Sequence, residues 1–228
     1  MGVRRLSVAA VLIAATACGG DPGNGAVSRV WPAMGTMMSV AAWGADTTRL
    51  QRVLDRVRDV LDSLGDGSLR GTLRLAPGIA VDSSKIAEGY ALDRAALALA
   101  GVADSALLDL GGQFFWVAAR PTRRMVGIAE PEDPLRSLAA VELQTGSVGT
   151  VSEGKRSVTV LASTGVAADA WATAFFGLGC DSVLALAPRL TAPRPSVVCA
   201  DSAGVRWTPD LGGRVLLPTA PGRPGRAP

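Results

Sequence analysis

Leu50, Val53, Leu54, Val57, Leu61 and Leu64 recur at three- and four-residue intervals, the spacing of one helix face. Arg52, Asp55, Arg56 and Asp59 fall off that stripe and read as solvated. The pattern predicts a helix capped at Asp46 or Thr47 and stopped by Gly65 after Leu64. A second helix is predicted over Lys85–Ala100, closed by Gly101, a third over Ala168–Leu178 and a shorter fourth over Asp181–Ala187. Between them, short apolar or alternating runs predict strands. These are Thr36–Trp43, Ser105–Leu110, Phe114–Ala118, Met125–Ala129, Ala139–Leu143, Gly146–Val151, Ser157–Ala162, Ser196–Ala200 and Val205–Thr208. Gly65 to Gly78 is rich in turn residues, with room for one short strand at Thr72–Leu75, and Ile79–Asp82 is a short apolar run ending at a candidate cap. The mixture predicts an α+β fold, helices packed on a mostly antiparallel sheet. Strands and helices do not alternate as βαβ units, and Gly111-Gly112 lacks the spacing of a dinucleotide fingerprint.

The chain opens differently. Arg4 and Arg5 precede an apolar run from Leu6 to Ala17, too short to span a bilayer, and Ala15-Thr16-Ala17 then leads into Cys18. Residues 1–17 therefore read as a signal peptide. Cys18 sits where cleavage would fall, so a lipobox with a lipidated Cys18 is favoured over an ordinary signal peptide with an incidental cysteine. Residues 18–29 follow as the lipidated Cys and a flexible tether, 30–217 as one domain and 218–228 as a Pro/Gly/Arg-rich disordered tail. The protein is expected in the bacterial cell envelope, held to the membrane by its lipid and facing periplasm or exterior.

At 228 residues and 48% hydrophobic content, the chain is long and apolar enough for a sizeable core. Its net charge of +3 comes from scattered arginines with no interleaved aromatics, so no nucleic-acid partner is expected. The sequence has no histidine, which excludes imidazole metal ligands, Ser-His pairs and an imidazole base. Cys180 and Cys199 either pair, as export permits, or stay buried thiols.

The strongest candidate chemistry lies in Ala168-Asp169-Ala170-Trp171-Ala172-Thr173-Ala174. Residues i and i+4 share a helix face, so Asp169 and Thr173 can offer two oxygens to one hard cation such as Mg²⁺. The plain alternative is an N-terminal Asp with a Thr bonded to its own backbone. Two further blocks stand upstream: Asp82-Ser83-Ser84-Lys85-Ile86-Ala87-Glu88-Gly89-Tyr90-Ala91-Leu92-Asp93, and Leu108-Asp109-Leu110-Gly111-Gly112. Met34-Gly35-Thr36 opens the domain.

Taken in chain order, from roughly Trp31 to Gly179, the blocks resemble the FAD:protein FMN transferase family, the ApbE-like flavin transferases once called thiamine-biosynthesis lipoproteins. The resemblance implies a T-fold-like architecture and Mg²⁺-dependent transfer of FMN from FAD to a Thr or Ser hydroxyl of an acceptor flavoprotein. It implies Mg²⁺ ligands at Asp169, Thr173 and the Ala87 carbonyl. It implies flavin-nucleotide contacts at Met34, Gly35, Thr36, Asp82, Lys85, Glu88, Gly89, Tyr90, Gly111 and Gly112. Several of these have plainer readings. Asp82 can cap a helix, Tyr90 can fill core, the two glycines can simply turn the chain, and Asp93 reads as structural, paired with Arg94 or another arginine.

Three departures from the family pattern bear on activity. The family's lysine in Ile-Ala-Lys-Gly is Glu88 here, and two like charges about 4 Å apart repel by roughly 4 kcal/mol at an effective dielectric of about 20. Lys85, one helical turn earlier, is a candidate substitute. The family's His-x-x-Asp-Pro-x-Thr-Gly segment is absent, since Thr150–Arg156 runs straight into Ser157-Val158-Thr159-Val160. Glu153 and Glu88 remain as candidate proton acceptors, neither with a motif behind it. The stretch before Asp82 is shorter than the family's and lacks its Ser-rich loop and Phe-Asp-Pro element. The alternatives to a transferase are therefore a flavin-binding or weak FAD pyrophosphatase lipoprotein, or a non-catalytic degenerate member.

Overall fold

A computed structural model describes residues 25–64, 71–191 and 193–218. The predicted signal peptide, Cys18, residues 18–24 of the tether and residues 219–228 of the tail lie outside the described residues. Two strands, β1 (Gly25–Ala33) and β2 (Thr36–Gly44), open the fold as a hairpin. Their two-residue turn is Met34-Gly35, with φ of +51° and +77°. Both values are left-handed, as the tight turn that matches strand twist requires. β1 already covers residues 25–29, which the sequence assigns to the tether. Its inward residues Trp31 and Ala33 are buried, while Ser28, Val30 and Pro32 are exposed. That mixed composition hides the alternation, and Pro32 is tolerated because β1 is an edge strand.

Helix α1 (Thr47–Leu64) buries Leu50, Val53, Leu54, Val57 and Leu61, the predicted stripe. Asp46 Oδ1 accepts from Arg49 N–H at 2.8 Å, capping it as expected. A small hairpin, β3 (Thr72–Ala76) with β4 (Ile79–Asp82), leads to α2 (Ala87–Leu99). The single helix predicted from Lys85 is divided: Ser83–Lys85 is a 3₁₀ turn and Ile86 the junction. Then come β5 (Ser105–Leu110), β6 (Gln113–Ala118), β7 (Arg124–Glu130), β8 (Asp133–Leu143), β9 (Gly146–Glu153) and β10 (Arg156–Ala162). Helices α3 (Gly165–Phe176) and α4 (Cys180–Leu186) precede β11 (Ser196–Asp201), β12 (Gly204–Trp207) and β13 (Val215–Leu216).

Eight strands form one sheet in the order β1-β2-β5-β6-β9-β10-β11-β12, with every neighbouring pair antiparallel. One face carries the helices. Residues of α1 and α2 pack on Met38, Val40, Ala106 and Leu108, and those of α3 and α4 on Val158, Val160 and Val197. The other face carries the three-stranded sheet β13-β8-β7, whose Val126, Ile128 and Val141 meet Trp116, Val148 and Val198. The fold is thus α+β with a mainly antiparallel sheet, as predicted. Cys180 and Cys199 form a disulfide with Cα atoms 5.7 Å apart, tying α4 to β11. Among the described residues, no helix is long and apolar enough to cross a membrane.

Candidate functional site

Two helices meet over the middle of the large sheet, and each supplies a carboxylate to the other's start. The first main-chain N–H groups of any helix lack intrahelical partners. At α3, Thr164 caps in the ordinary way, its Oγ1 accepting from Ala167 N–H at 3.1 Å. Asp93 of α2 takes the remaining donors, accepting from Gly165 N–H at 2.6 Å and Val166 N–H at 3.0 Å. This corrects the sequence expectation for Asp93. Its partners are amides 72 and 73 residues away, and no arginine is among them. Together with the Thr164 cap, these two bonds account for α3 beginning at Gly165, earlier than Ala168.

At α2 no side chain of the adjoining segment caps the helix. Asp169 of α3 does so from 80 residues away, its Oδ2 accepting from Gly89 N–H at 3.1 Å. Asp169 is the fifth residue of α3, so the positive end it faces belongs to α2 rather than to its own helix. The helices approach closely enough that a Cβ on Gly89 would overlap the Gly165 carbonyl, and one on Gly165 the Gly89 carbonyl. Gln113, the first residue of β6, is buried beneath this crossing. Its Nε2 donates to Gly165 O at 2.9 Å and to Ser147 Oγ at 3.3 Å, and its Oε1 is buried without a partner.

Two glycine turns come to the same place. Gly111-Gly112 joins β5 to β6 with φ of +63° and +92°, and Asp109 Oδ1 accepts from Gly112 N–H at 2.9 Å. A Cβ on Gly111 would stand 3.2 Å from Thr36 Cγ2 and 3.3 Å from Glu88 Oε1. So the Met34-Gly35-Thr36 turn, the Gly111-Gly112 turn and the first turn of α2 are neighbours. Asp82 accepts from Ser84 N–H at 2.8 Å and caps the 3₁₀ turn, the plainer of its two readings. Hydrogen bonds from Ser84 hold the Asp82 carboxyl below the usual range, and the charge of exposed Lys85 adds a smaller contribution. Tyr90 is half-buried on α2. Glu153 is exposed at the tip of the β9–β10 hairpin, about 20 Å along β9 from Ser147, so only Glu88 of the two candidate proton acceptors reaches the site.

Four half-buried carboxylates, Glu88, Asp93, Asp109 and Asp169, set the electrostatics here. Burial raises Asp169 to about 7; the Gly89 N–H opposes that rise and the Glu88 charge adds to it. Burial likewise raises Asp109 to about 6 and lifts Glu88 and Asp93 above their ordinary values. The ion pairs among the described residues engage none of these four carboxylates. Among the described residues no three His, Cys, Asp or Glu side chains gather as a ready-made metal cluster. The donors fit a hard divalent cation in another way: a desolvated carboxylate with one oxygen still open, and a hydroxyl one turn along the same face at Thr173. Ala87 begins α2 two residues before Gly89 and brings its main chain to the same corner.

Comparison with known proteins agrees with this architecture. An ApbE protein of Thermotoga maritima superposes with a TM-score of 0.61 at 14% identity, over 83% of this chain and 99% of that one. The flavin transferase ApbE of Vibrio cholerae gives 0.54 at 15% identity, over 84% and 99%. The Pseudomonas stutzeri flavinyl transferase ApbE, in its apo form, gives 0.58 at 15%, over 83% and 97%. At these identities the likeness is one of fold. No curated protein sequence matches significantly. Asp169 and Thr173 lie beyond the stretch matched by the family model. That model, the ApbE family, matches residues 6–156, more than half of the 228-residue sequence, and the chain belongs to this family.

Proposed function

We propose that this protein is a Mg²⁺-dependent flavin transferase. It moves FMN from FAD to a Thr or Ser hydroxyl of an acceptor flavoprotein in the bacterial cell envelope. The observation that supports the reading is the Gly89–Asp169 contact: a half-buried carboxylate, in no ion pair among the described residues, at a helix N-terminus flanked by two glycine turns. Ala87 through its carbonyl, Asp169 and Thr173 would hold the cation, which when bound neutralises charge at the phosphorus under attack. The first turn of α2 presents main-chain N–H groups to the same pyrophosphate. Gly35, Gly111 and Gly112 let the backbone approach the nucleotide, and Met34, Thr36 and Tyr90 border it. In the reaction the acceptor hydroxyl oxygen bonds to the FMN phosphorus, the phosphoanhydride bond breaks, AMP leaves and the hydroxyl proton passes to solvent.

A specific observation favours a second reading, FAD hydrolysis with water as acceptor. Glu153 pairs with Arg156 across the two-residue turn Gly154-Lys155, where the family carries its His-containing segment. Localisation belongs to the same proposal. Residues 1–17 would direct export, a lipid on Cys18 would anchor the chain, and the Cys180–Cys199 disulfide supports an oxidising compartment.

The test mixes the protein with FAD, Mg²⁺ and a Thr-containing acceptor peptide, and follows FAD binding, AMP release and covalent flavin. Labelled peptide with stoichiometric AMP is the expected result. AMP without label establishes the hydrolase, and no FAD binding at millimolar concentration defeats both.

A further inference from the structure

Gln113 opens β6 directly after the Gly111-Gly112 turn, with its side chain on the helix face of the sheet. In the same row across the sheet stand Met38 and Leu110, and two residues along β6 stands Phe115, all buried. Strand alternation calls for an apolar side chain here, yet the chain places an amide that is 4% exposed. The orientation of that amide is settled by elimination. Gly165 O can only accept, so the atom 2.9 Å from it is Nε2. Ser147 Oγ gives its proton to Phe114 O at 2.7 Å and accepts from Nε2 at 3.3 Å. Both amide protons are then used, and Oε1 stays buried with no donor among the described residues. Such an acceptor is destabilising. Removing the amide would leave neither partner bare. Ser147 Oγ still donates to Phe114 O, and Gly165 O still takes the Asp169 N–H, its i+4 partner in α3. Stability alone would therefore favour an apolar side chain of the same shape.

We infer that Gln113 is a positioning residue for Asp169, kept for the placement of that carboxylate and not for the stability of the fold. The inference rests on the reading of Asp169 as a metal ligand. Gly165 lies one helical turn ahead of Asp169. Its N–H is held by Asp93 of α2 and its carbonyl by Gln113 of β6. The carbonyl that Gln113 grips is the one bonded to the Asp169 main chain, while the Asp169 carboxylate receives Gly89 N–H. Apolar packing is non-directional and lets a helix turn or slide on a sheet, whereas a hydrogen bond to one carbonyl fixes both. Because Gln113 follows Gly112 in the chain, the same bond sets the first turn of α3 against the glycine turn.

The experiment measures FAD binding by calorimetry, in Mg²⁺ and in EDTA, for the wild type, Gln113→Met, Asp169→Asn and the double variant, with a thermal melt of each. Gln113→Met matches the shape of glutamine without its amide. It should melt at or above the wild-type temperature, lose at least tenfold in FAD affinity in Mg²⁺, and equal the wild type in EDTA. Added to Asp169→Asn it should cause no further loss, the mark of two residues acting through one contact. Undiminished affinity of Gln113→Met in Mg²⁺ overturns the inference. So does an equal loss in Mg²⁺ and EDTA, or a marked fall in melting temperature, since either is what an ordinary core side chain would give. If Asp169→Asn loses Mg²⁺-dependent affinity while Gln113→Met does not, the transferase reading stands and only the role of Gln113 falls. If Asp169→Asn keeps its full Mg²⁺-dependent affinity, the metal reading falls and the positioning role with it.

Discussion

Residue by residue, the site mixes positions the sequence names correctly with positions whose reason it cannot show. Gly89 is singled out in sequence for letting a ligand approach the backbone, and in the structure the close neighbour is another helix. A Cβ there would overlap the Gly165 carbonyl and come within 2.8 Å of Val166 N. Gly89→Ala must push α2 and α3 apart, at a cost of about 2–4 kcal/mol. Urea unfolding should show that loss, and FAD affinity should fall with it because the Gly89–Asp169 bond is stretched. Asp109 gives a different kind of prediction. Its carboxyl titrates at about 6 in the fold, against an ordinary 3.8 once unfolded. Between those values the folded state holds the proton longer, so this residue's contribution to stability falls as pH rises from 4 to above 6. The difference amounts to roughly 2–3 kcal/mol at neutral pH. Asp109→Asn keeps an oxygen for Gly112 N–H and removes the charge. Unfolding free energies at pH 4.5 and 7.5 should therefore lie closer together in the variant, and an unaltered gap would mean that Asp109 titrates normally.

Among the elements, legibility follows the reach of the signal. Helix α1 sets one buried stripe against an exposed face, and strands β2 and β5 alternate between a buried and a half-buried face, so their spans are predicted almost residue for residue. Strand β1 is missed because Ser28, Val30 and Pro32 face outward on an edge, and β13 because two residues carry no period. The start of α3 is misplaced by three residues: its local cap, Thr164, stands in the sequence, but the first two donors of the helix go to Asp93, on another helix, which spacing cannot show. The reciprocal bond from Gly89 to Asp169 is equally invisible to spacing. This exchange of carboxylates makes α2 and α3 one mechanical unit. Asp93→Ala should strand two N–H groups and cost about 1–3 kcal/mol. Because α3 carries Asp169, Mg²⁺-dependent FAD affinity should drop as well, with Asp93→Asn recovering part of both. Loss of stability with FAD affinity untouched would show that α3 is positioned by the sheet alone.

At the scale of the whole molecule, the helix layer is fixed at two places, and only one belongs to the site. The α2–α3 crossing sits over β6 and β9 through Gln113, Ser147 and the contact of Gly149 with Ala168. Toward the other edge of the sheet, the Cys180–Cys199 bond fastens α4 to β11, two strands beyond β9. Sequence alone leaves that pairing open, since it hinges on the 5.7 Å Cα separation that only the packing of α4 on β11 creates. A cross-link closing 19 residues removes loop entropy from the unfolded chain worth about 3 kcal/mol. Reduction, or the double substitution Cys180→Ala with Cys199→Ala, should lower the urea midpoint accordingly. The site should not notice, because α3 keeps both Asp93 and its apolar bed of Val158 and Val160 on β10. The decisive comparison is FAD affinity with and without dithiothreitol at a urea concentration well below either midpoint. Equal affinities would confirm that the bond serves stability in an oxidising compartment and leaves the site to the helix pair. A parallel loss of affinity would mean that α4 and β11 transmit strain through Trp171 and Phe175 to Asp169, and that the two fixings act as one.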